Sequence, residues 1–195
     1  MSIKLQIGCA SRPKPGESAC GDQTAIIHDS EGVLIAVVDG LGHGPEAEKA
    51  ALAACAFVRD NSAMDLSSMM KALDRAIAAT RGAAVTLVRV SPKTGGFKHV
   101  AVGNVEWSSL RRLERHPLTV PGVVGARYRK VVQTRGRLVP GDIVVLYTDG
   151  ISSRFDLESG RNLGAQAVAD HLLDTRAKAH DDATCVVIKL LAFSN

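Results

Sequence analysis

Two segments of this chain end an apolar run by delivering a carboxylate and then a glycine. Leu34-Ile35-Ala36-Val37-Val38 leads into Asp39-Gly40, and Ile143-Val144-Val145-Leu146-Tyr147-Thr148 leads into Asp149-Gly150. Two others place carboxylates just ahead of such a run: Asp22 before Thr24-Ala25-Ile26-Ile27, and Asp181-Asp182 before Thr184-Cys185-Val186-Val187-Ile188. In an antiparallel sheet the end of one strand lies beside the start of its neighbour, so these four placements can converge on one sheet edge. Carboxylates gathered there repel and cannot all stay ionised unaided. Mg2+ and Mn2+, hard cations that favour carboxylate, carbonyl and water oxygens, resolve that conflict. Glycine after each strand-end Asp lets a backbone carbonyl approach an ion. Taken singly, an Asp-Gly pair signals a turn and Asp181-Asp182 a loop or cap. The four placements together propose a metal centre held by Asp.

The elements that must position these residues are legible as blocks. Ile3, Leu5 and Ile7 alternate with polar residues as a half-buried strand, and Ser11 to Gly21, with Pro13, Pro15 and Gly16, reads as a loop. Strands are expected over Thr24–His28 and Val33–Val38. A helix opens at Pro45, suited to the first helical position, and runs to about Arg59. A second helix is expected from about Asp65 to Arg81, with Leu66, Met69, Met70, Leu73 and Ile77 on one face. Further strands are expected at Val85–Val90, Phe97–Val102, Trp107–Leu113, Tyr128–Thr134, Ile143–Tyr147 and Thr184–Leu190, with a helix near Leu163–Asp174 before the last. Strands and helices come in blocks rather than alternating, which predicts an α+β fold with mostly antiparallel sheets. No repeat or low-complexity linker divides the chain, so 1–195 is read as one domain.

Composition narrows the function class. Of 195 residues 46% are hydrophobic and 23% charged, values of an ordinary globular chain rather than a disordered one. No apolar run approaches the ~20 residues of a membrane span, and the N-terminus lacks the apolar centre of a signal peptide. Cys9, Cys20, Cys55 and Cys185 form no C-x-x-C pair, which argues against structural zinc or a disulfide framework and for reduced thiols in the cytoplasm. No Gly-x-Ser-x-Gly elbow supports a serine hydrolase, and Gly40-Leu41-Gly42-His43-Gly44 lacks the lysine of a P-loop. His43, four residues after Asp39, is either a proton donor or secondary ligand, or a hydrogen-bonded loop histidine.

Charge is uneven. Between Leu110 and Pro140 stand Arg111, Arg112, Arg115, Arg127, Arg129, Lys130, Arg135 and Arg137, against Glu114 as the one acid. Such a strip is either a solvated strand face or a docking surface for an acidic protein or phosphoprotein. Only Trp107 and Tyr128 lie near it for base stacking, so a nucleic-acid partner is not expected.

Val37-Val38-Asp39-Gly40-Leu41-Gly42-His43-Gly44, Leu146-Tyr147-Thr148-Asp149-Gly150 and Asp181-Asp182-Ala183-Thr184 resemble the signatures of the metal-dependent protein phosphatases (PPM, type 2C), in the family's order and roughly its spacing. Gly82-Ala83-Ala84-Val85-Thr86-Leu87, Val102-Gly103-Asn104 and Pro121-Gly122-Val123-Val124-Gly125 resemble its intervening motifs, so the likeness runs from about residue 20 to 190. The compact size and the Asp-Gly-Leu-Gly-His-Gly form are most similar to the bacterial SpoIIE branch, and within it to the stand-alone phosphatases of stressosome signalling.

The resemblance implies a PPM-type β-sandwich of two antiparallel sheets flanked by helix pairs, in α-β-β-α layers, with two Mn2+ or Mg2+ ions at one edge. It implies that Asp39 bridges both ions, that the Gly40 carbonyl binds one, and that Asp149 and Asp181 complete the other's shell. Asp22 would hold the first ion's waters and Asp182 would orient its neighbours. Asp39 and Asp149 thereby become the residues on which catalysis depends. The implied reaction is hydrolysis of phosphoserine or phosphothreonine on STAS-domain regulators of a bacterial stress pathway, by in-line attack of a water bridging the ions. A catalytically silent PPM-like regulatory binding domain is the alternative. Asn104 and Ser153 stand where many family members carry acids that serve a third ion, and no arginine matches the phosphate-binding one of eukaryotic members.

Overall fold

The computed structural model describes residues 3–192. In chain order the elements are β1 (Ile3–Arg12), β2 (Asp22–Asp29), β3 (Gly32–Gly40), α1 (Pro45–Asp60), α2 (Leu66–Ala76), β4 (Ala83–Val90), β5 (Gly96–Val102), β6 (Glu106–Ser109), β7 (Thr119–Val120), β8 (Gly122–Val123), β9 (Arg127–Tyr128), β10 (Gln133–Arg137), β11 (Ile143–Tyr147), α3 (Ala165–Arg176) and β12 (Ala183–Ala192). One sheet has the order β1-β12-β11-β6 and the other β10-β5-β4-β3-β2. Their neighbours pair antiparallel, except that the short β7 pairs parallel with β5. β8 and β9 form a separate hairpin.

Strand alternation builds the layers. On β3, Val33, Ile35 and Val37 face the other sheet, where they meet Val144, Leu146, Val186 and Ile188. The intervening Leu34, Ala36 and Val38 face α1 and α2, among Ala51, Ala54, Met70 and Leu73. On the outer face of the second sheet, Val145, Tyr147 and Val187 pack against Val168, Ala169 and Leu172 of α3. Both faces of each central strand are therefore apolar, which is why these strands read as continuous hydrophobic runs. The result is the expected α-β-β-α sandwich. Its two sides differ: α1 and α2 form a pair on one sheet, whereas α3, with a one-turn 3-10 helix at Glu158–Gly160, covers the other among the described residues.

Local chemistry sets the helices. α1 starts with Pro45 and carries Glu46 and Glu48 in its first turn and Arg59 in its last, each matched to the helix dipole. Its buried stripe is small, Ala47, Ala50, Ala51 and Ala54, so its backbone lies close to the sheet. Asp65 caps α2 by accepting from the backbone N–H groups of Ser67 (3.1 Å) and Ser68 (3.4 Å). No helix among the described residues is long and apolar enough to cross a membrane.

Four segments differ from the sequence expectation, one of them the strand expected over Trp107–Leu113, which spans only Glu106–Ser109. β1 runs on to Arg12, because Ser11 and Arg12 pair with Thr184 and Ala183. α2 stops at Ala76 instead of reaching Arg81: Thr80 Oγ1 donates to the Ile77 carbonyl (2.7 Å) and accepts from the Gly82 N–H (3.0 Å). The Gly125 N–H meanwhile donates to Asp74 Oδ1 (2.7 Å), so a loop occupies the space beyond the helix end. Tyr128–Thr134 is not one strand. Its start joins β8 as β9 and its end joins β5 as β10, two partners dividing one strand-like stretch.

Candidate metal centre

The strand ends expected to converge do so. Asp22 opens β2 and is the cross-strand partner of Asp39 near the end of β3, which is in turn opposite Ala84 at the start of β4. Asp39 continues the Val33-Ile35-Val37 alternation and so points between the sheets. Across the sandwich, Asp149 follows β11 and Asp181-Asp182 precede β12, whose ends lie together through Tyr147 opposite Cys185. Asp39, Asp149 and Asp181 line an open cleft of about 560 Å3, walled by Gly42, Asn104 and Val123.

Burial and like charge act on these groups together. Asp22 is 3% exposed, and desolvation pushes its pKa up to about 7, with Asp182 and Asp181 adding repulsion. Asp39 is pushed up to about 8, first by burial, then by the charges of Asp22 and Asp149. Among the described residues, none of Asp22, Asp39, Asp149, Asp181 and Asp182 has an ion pair. Neutral donors hold them instead. Thr148 Oγ1 donates to Asp22 Oδ2 (2.7 Å) and accepts from the Thr184 N–H (3.0 Å). Asn104 Nδ2 donates to Asp149 Oδ2 (2.8 Å) and also steadies Asp39. Asp182 accepts from the Lys14 N–H (2.7 Å) and the Gly21 N–H (3.0 Å), tying the loop before Asp22 to β12.

Asp39, Asp149 and Asp181 share the cleft while Asp22 and Asp182 are buried, and among the described residues no three acidic, His or Cys side chains are placed around a single position. Among the described residues, no serine, threonine or cysteine lines the cleft. His43 is at the rim, and its Nδ1 is 2.7 Å from Glu17 Oε1, the loop-histidine arrangement.

The glycines have a further reason. A Cβ on Gly40 would lie 2.1 Å from the Ala47 carbonyl oxygen of α1, and one on Gly150 would lie 1.7 Å from the Asp182 carbonyl oxygen. Each Asp-Gly pair is therefore a packing joint as well as a turn. Sequence reasoning missed Thr148 as the anchor of Asp22 and Lys178, whose Nζ donates to the Asp149 carbonyl (2.5 Å). Thr148's place beside Asp149 was the available signal; Lys178, 29 residues away in sequence, gave none.

Known proteins share the sequence pattern and the fold. The phosphoserine phosphatase RsbX of Bacillus subtilis (strain 168) is 25% identical over 182 residues, covering 91% of this chain and 90% of RsbX. A chain solved in work on the bacterial stressosome as a modular system that controls secondary messenger signalling superposes with a TM-score of 0.88. It is 29% identical, and the match covers 95% of this chain and all of that one. RsbX in complex with magnesium superposes with a TM-score of 0.83 at 24% identity, over 95% of each chain. The sequence model of stage II sporulation protein E (SpoIIE) matches residues 29–191. With that match spanning most of the sandwich, from the end of β2 into β12, the chain belongs to the SpoIIE family of PPM-type phosphatase domains.

Proposed function

We propose that the chain, acting as one phosphatase domain in the cytoplasm, removes phosphate from phosphoserine or phosphothreonine on STAS-domain regulators of a bacterial stress-signalling pathway. The observation that carries the reading is the carboxylate cluster at the cleft: Asp39, Asp149 and Asp181 line it, Asp22 is buried directly across the strands from Asp39, the pKa values of Asp22 and Asp39 are strongly raised, and none of the four has an ion pair among the described residues. Hard divalent cations are the partners that such an all-oxygen set lacks. Asp22, Asp39, the Gly40 carbonyl, Asp149 and Asp181 would hold Mn2+ or Mg2+. When bound, a pair of such ions supplies positive charge against the transferring phosphoryl group and acidifies water.

The chain's own residues do the rest. Thr148 and Asp182 fix Asp22 and its loop, and Asn104 fixes Asp149 by a direct hydrogen bond. An open cleft admits a phosphorylated side chain presented on a folded protein. The test is phosphate release from a phosphorylated STAS domain with Mn2+, with EDTA, and by Asp149→Asn. Release that needs both Mn2+ and Asp149 is the expected result. Binding of the STAS domain with no release under any condition would overturn the enzymatic reading in favour of a silent regulatory domain.

The basic strip divides in the structure. Arg111 makes a two-pronged ion pair with Asp142 (Nε–Oδ1 2.9 Å, Nη2–Oδ2 2.8 Å), which is 4% exposed, so Arg111 is a structural latch. Arg112 and Arg115 are exposed and remain candidates for partner docking. Reversing both to Glu should raise KM for the phosphoprotein several-fold and leave an aryl phosphate's kinetics unchanged. Equal loss on both substrates would show that these residues support the fold rather than the partner.

A further inference from the structure

The floor of the cleft is built from carboxylates, which repel a phosphoryl dianion unless cations intervene, so the grip on the phosphate oxygens must be completed from the rim. Two exposed arginines adjoin residues of the cleft wall without lining the cleft themselves. Arg81 follows the early end of α2, and its Nη1 lies only 3.1 Å from where a Cβ on Gly42 would sit; Gly42 lines the cleft. The next residue, Gly82, accepts from the Leu41 N–H through its carbonyl (3.0 Å). A Cβ on Gly82 would lie 2.6 Å from the Val124 carbonyl oxygen and 2.7 Å from Val123 Cγ1. Val123 also lines the cleft, and its cross-strand partner on the β8–β9 hairpin is Arg127. Arg81 and Arg127 thus flank the same stretch of wall, where Gly82 touches Val123.

Most other basic groups of this region are already engaged; His180, which lines the cleft, is a neighbour without an ion pair or side-chain hydrogen bond among the described residues. His43 faces Glu17, Lys178 donates to the Asp149 carbonyl, and Arg12 donates to the carbonyls of Pro13 and Lys178. Among the described residues, neither the Arg81 nor the Arg127 guanidinium has an ion pair or a side-chain hydrogen bond. Both are therefore free to meet an incoming anion, and a planar guanidinium matches two phosphate oxygens at once. The premature end of α2 acquires a purpose on this view: helical continuation to Arg81 would carry that side chain along the helix surface, whereas the Thr80–Gly82 turn sets it over the Gly42 loop.

We infer that Arg81 and Arg127 form a guanidinium subsite at the cleft rim that binds the phosphoryl group of the substrate. The inference deepens the phosphatase reading and rests on it for the identity of the anion. The probe is inorganic phosphate, titrated calorimetrically into the Mn2+-loaded full chain and used as a competitive inhibitor of aryl phosphate hydrolysis. Arg81→Ala and Arg127→Ala should each weaken phosphate binding about tenfold, and KM should rise in parallel. Arg81→Lys should recover part of the loss, since a lysine supplies charge without the fork. Mn2+ affinity and thermal midpoint should stay at wild-type values, because both side chains are exposed and make no contacts that the fold uses. Phosphate binding by the double variant as tight as by wild type would overturn the subsite. Arginine-dependent phosphate binding by a wild-type chain that hydrolyses nothing would keep the subsite and sink the phosphatase reading instead. Failure of the Mn2+-loaded wild type to bind phosphate at all would overturn the subsite directly.

Discussion

Asp39→Asn should lower phosphate release by about 100- to 1,000-fold, the usual cost of removing one electrostatic group from a reacting centre, while making the metal-free protein more stable. Both effects come from one placement. Asp39 sits directly across from Asp22, and like charges opposite each other on a sheet destabilise it. Burial and the neighbouring carboxylates raise its pKa from 3.8 to about 8. Between those two values the unfolded chain releases the Asp39 proton while the folded chain keeps it. The folded state then binds more protons than the unfolded one, so stability falls as pH rises through that window. Asp22, raised to about 7, adds to the same slope. In EDTA, the thermal midpoint of the wild type should therefore drop between pH 5 and pH 8. Asp39→Asn should flatten that drop and gain about 2–8 °C near pH 7, the shift for about 1–2 kcal/mol in a chain of this size. Mg2+ should raise the wild-type midpoint far more than that of the variant. Parallel pH slopes for the two proteins would show that Asp39 does not carry the repulsion.

The carboxylates were legible because strand periodicity and chain direction carry most of their placement. A run that alternates Val33, Ile35 and Val37 toward one face must send Asp39 the same way, and antiparallel order brings Asp22 alongside it. Groups positioned by contacts between distant segments were not legible. Helical periodicity continues smoothly through Ala78 and Ala79, and nothing local reveals that the Gly125 loop will take the space beyond Ala76. The stretch from Tyr128 to Thr134 has one strand-like pattern but two partners. Arg111 reads as one of eight charges in a strip until Asp142, 31 residues on, proves to be its partner. His43 stayed open between two roles because Glu17 lies 26 residues earlier, on a loop whose course no local pattern sets. Asn104, a departure from the family's acidic pattern, gains meaning only from its 2.8 Å bond to Asp149: a neutral donor steadies a carboxylate where another carboxylate would repel it.

Gly150→Ala should be the most damaging single methyl group that can be added to this chain near the cleft. Its Cβ would stand 1.7 Å from the Asp182 carbonyl oxygen, 2.8 Å from that carbonyl carbon and 3.1 Å from the Ala183 Cα, all backbone atoms that no rotamer change can move. Nor can the start of β12 step aside. Asp182 is bonded to Lys14 and Gly21, the Thr148 N–H donates to the Thr184 carbonyl, and the Lys178 N–H donates to the Gly150 carbonyl. Relief of the clash must break one of these links, and each of them locates a carboxylate of the cleft. A loss beyond about 3 kcal/mol is expected, the range of a core overpacking that the structure cannot relax. Urea unfolding measures it, and added Mg2+ should not restore it. Gly40→Ala should behave alike, since the Ala47 carbonyl of α1 waits 2.1 Å from its Cβ. Gly164→Ser is the control: nothing lies within 4 Å of its Cβ, and it occupies the N-cap of α3, where a serine hydroxyl can accept from the helix, so stability should hold or rise by a few tenths of a kcal/mol. If Gly150→Ala unfolds at the wild-type urea concentration, the close backbone packing is not what sets the floor. If it collapses while Gly164→Ser does not, each glycine in the Asp-Gly pairs is needed so that a neighbouring backbone can press against the strand end and hold the preceding carboxylate in the cleft.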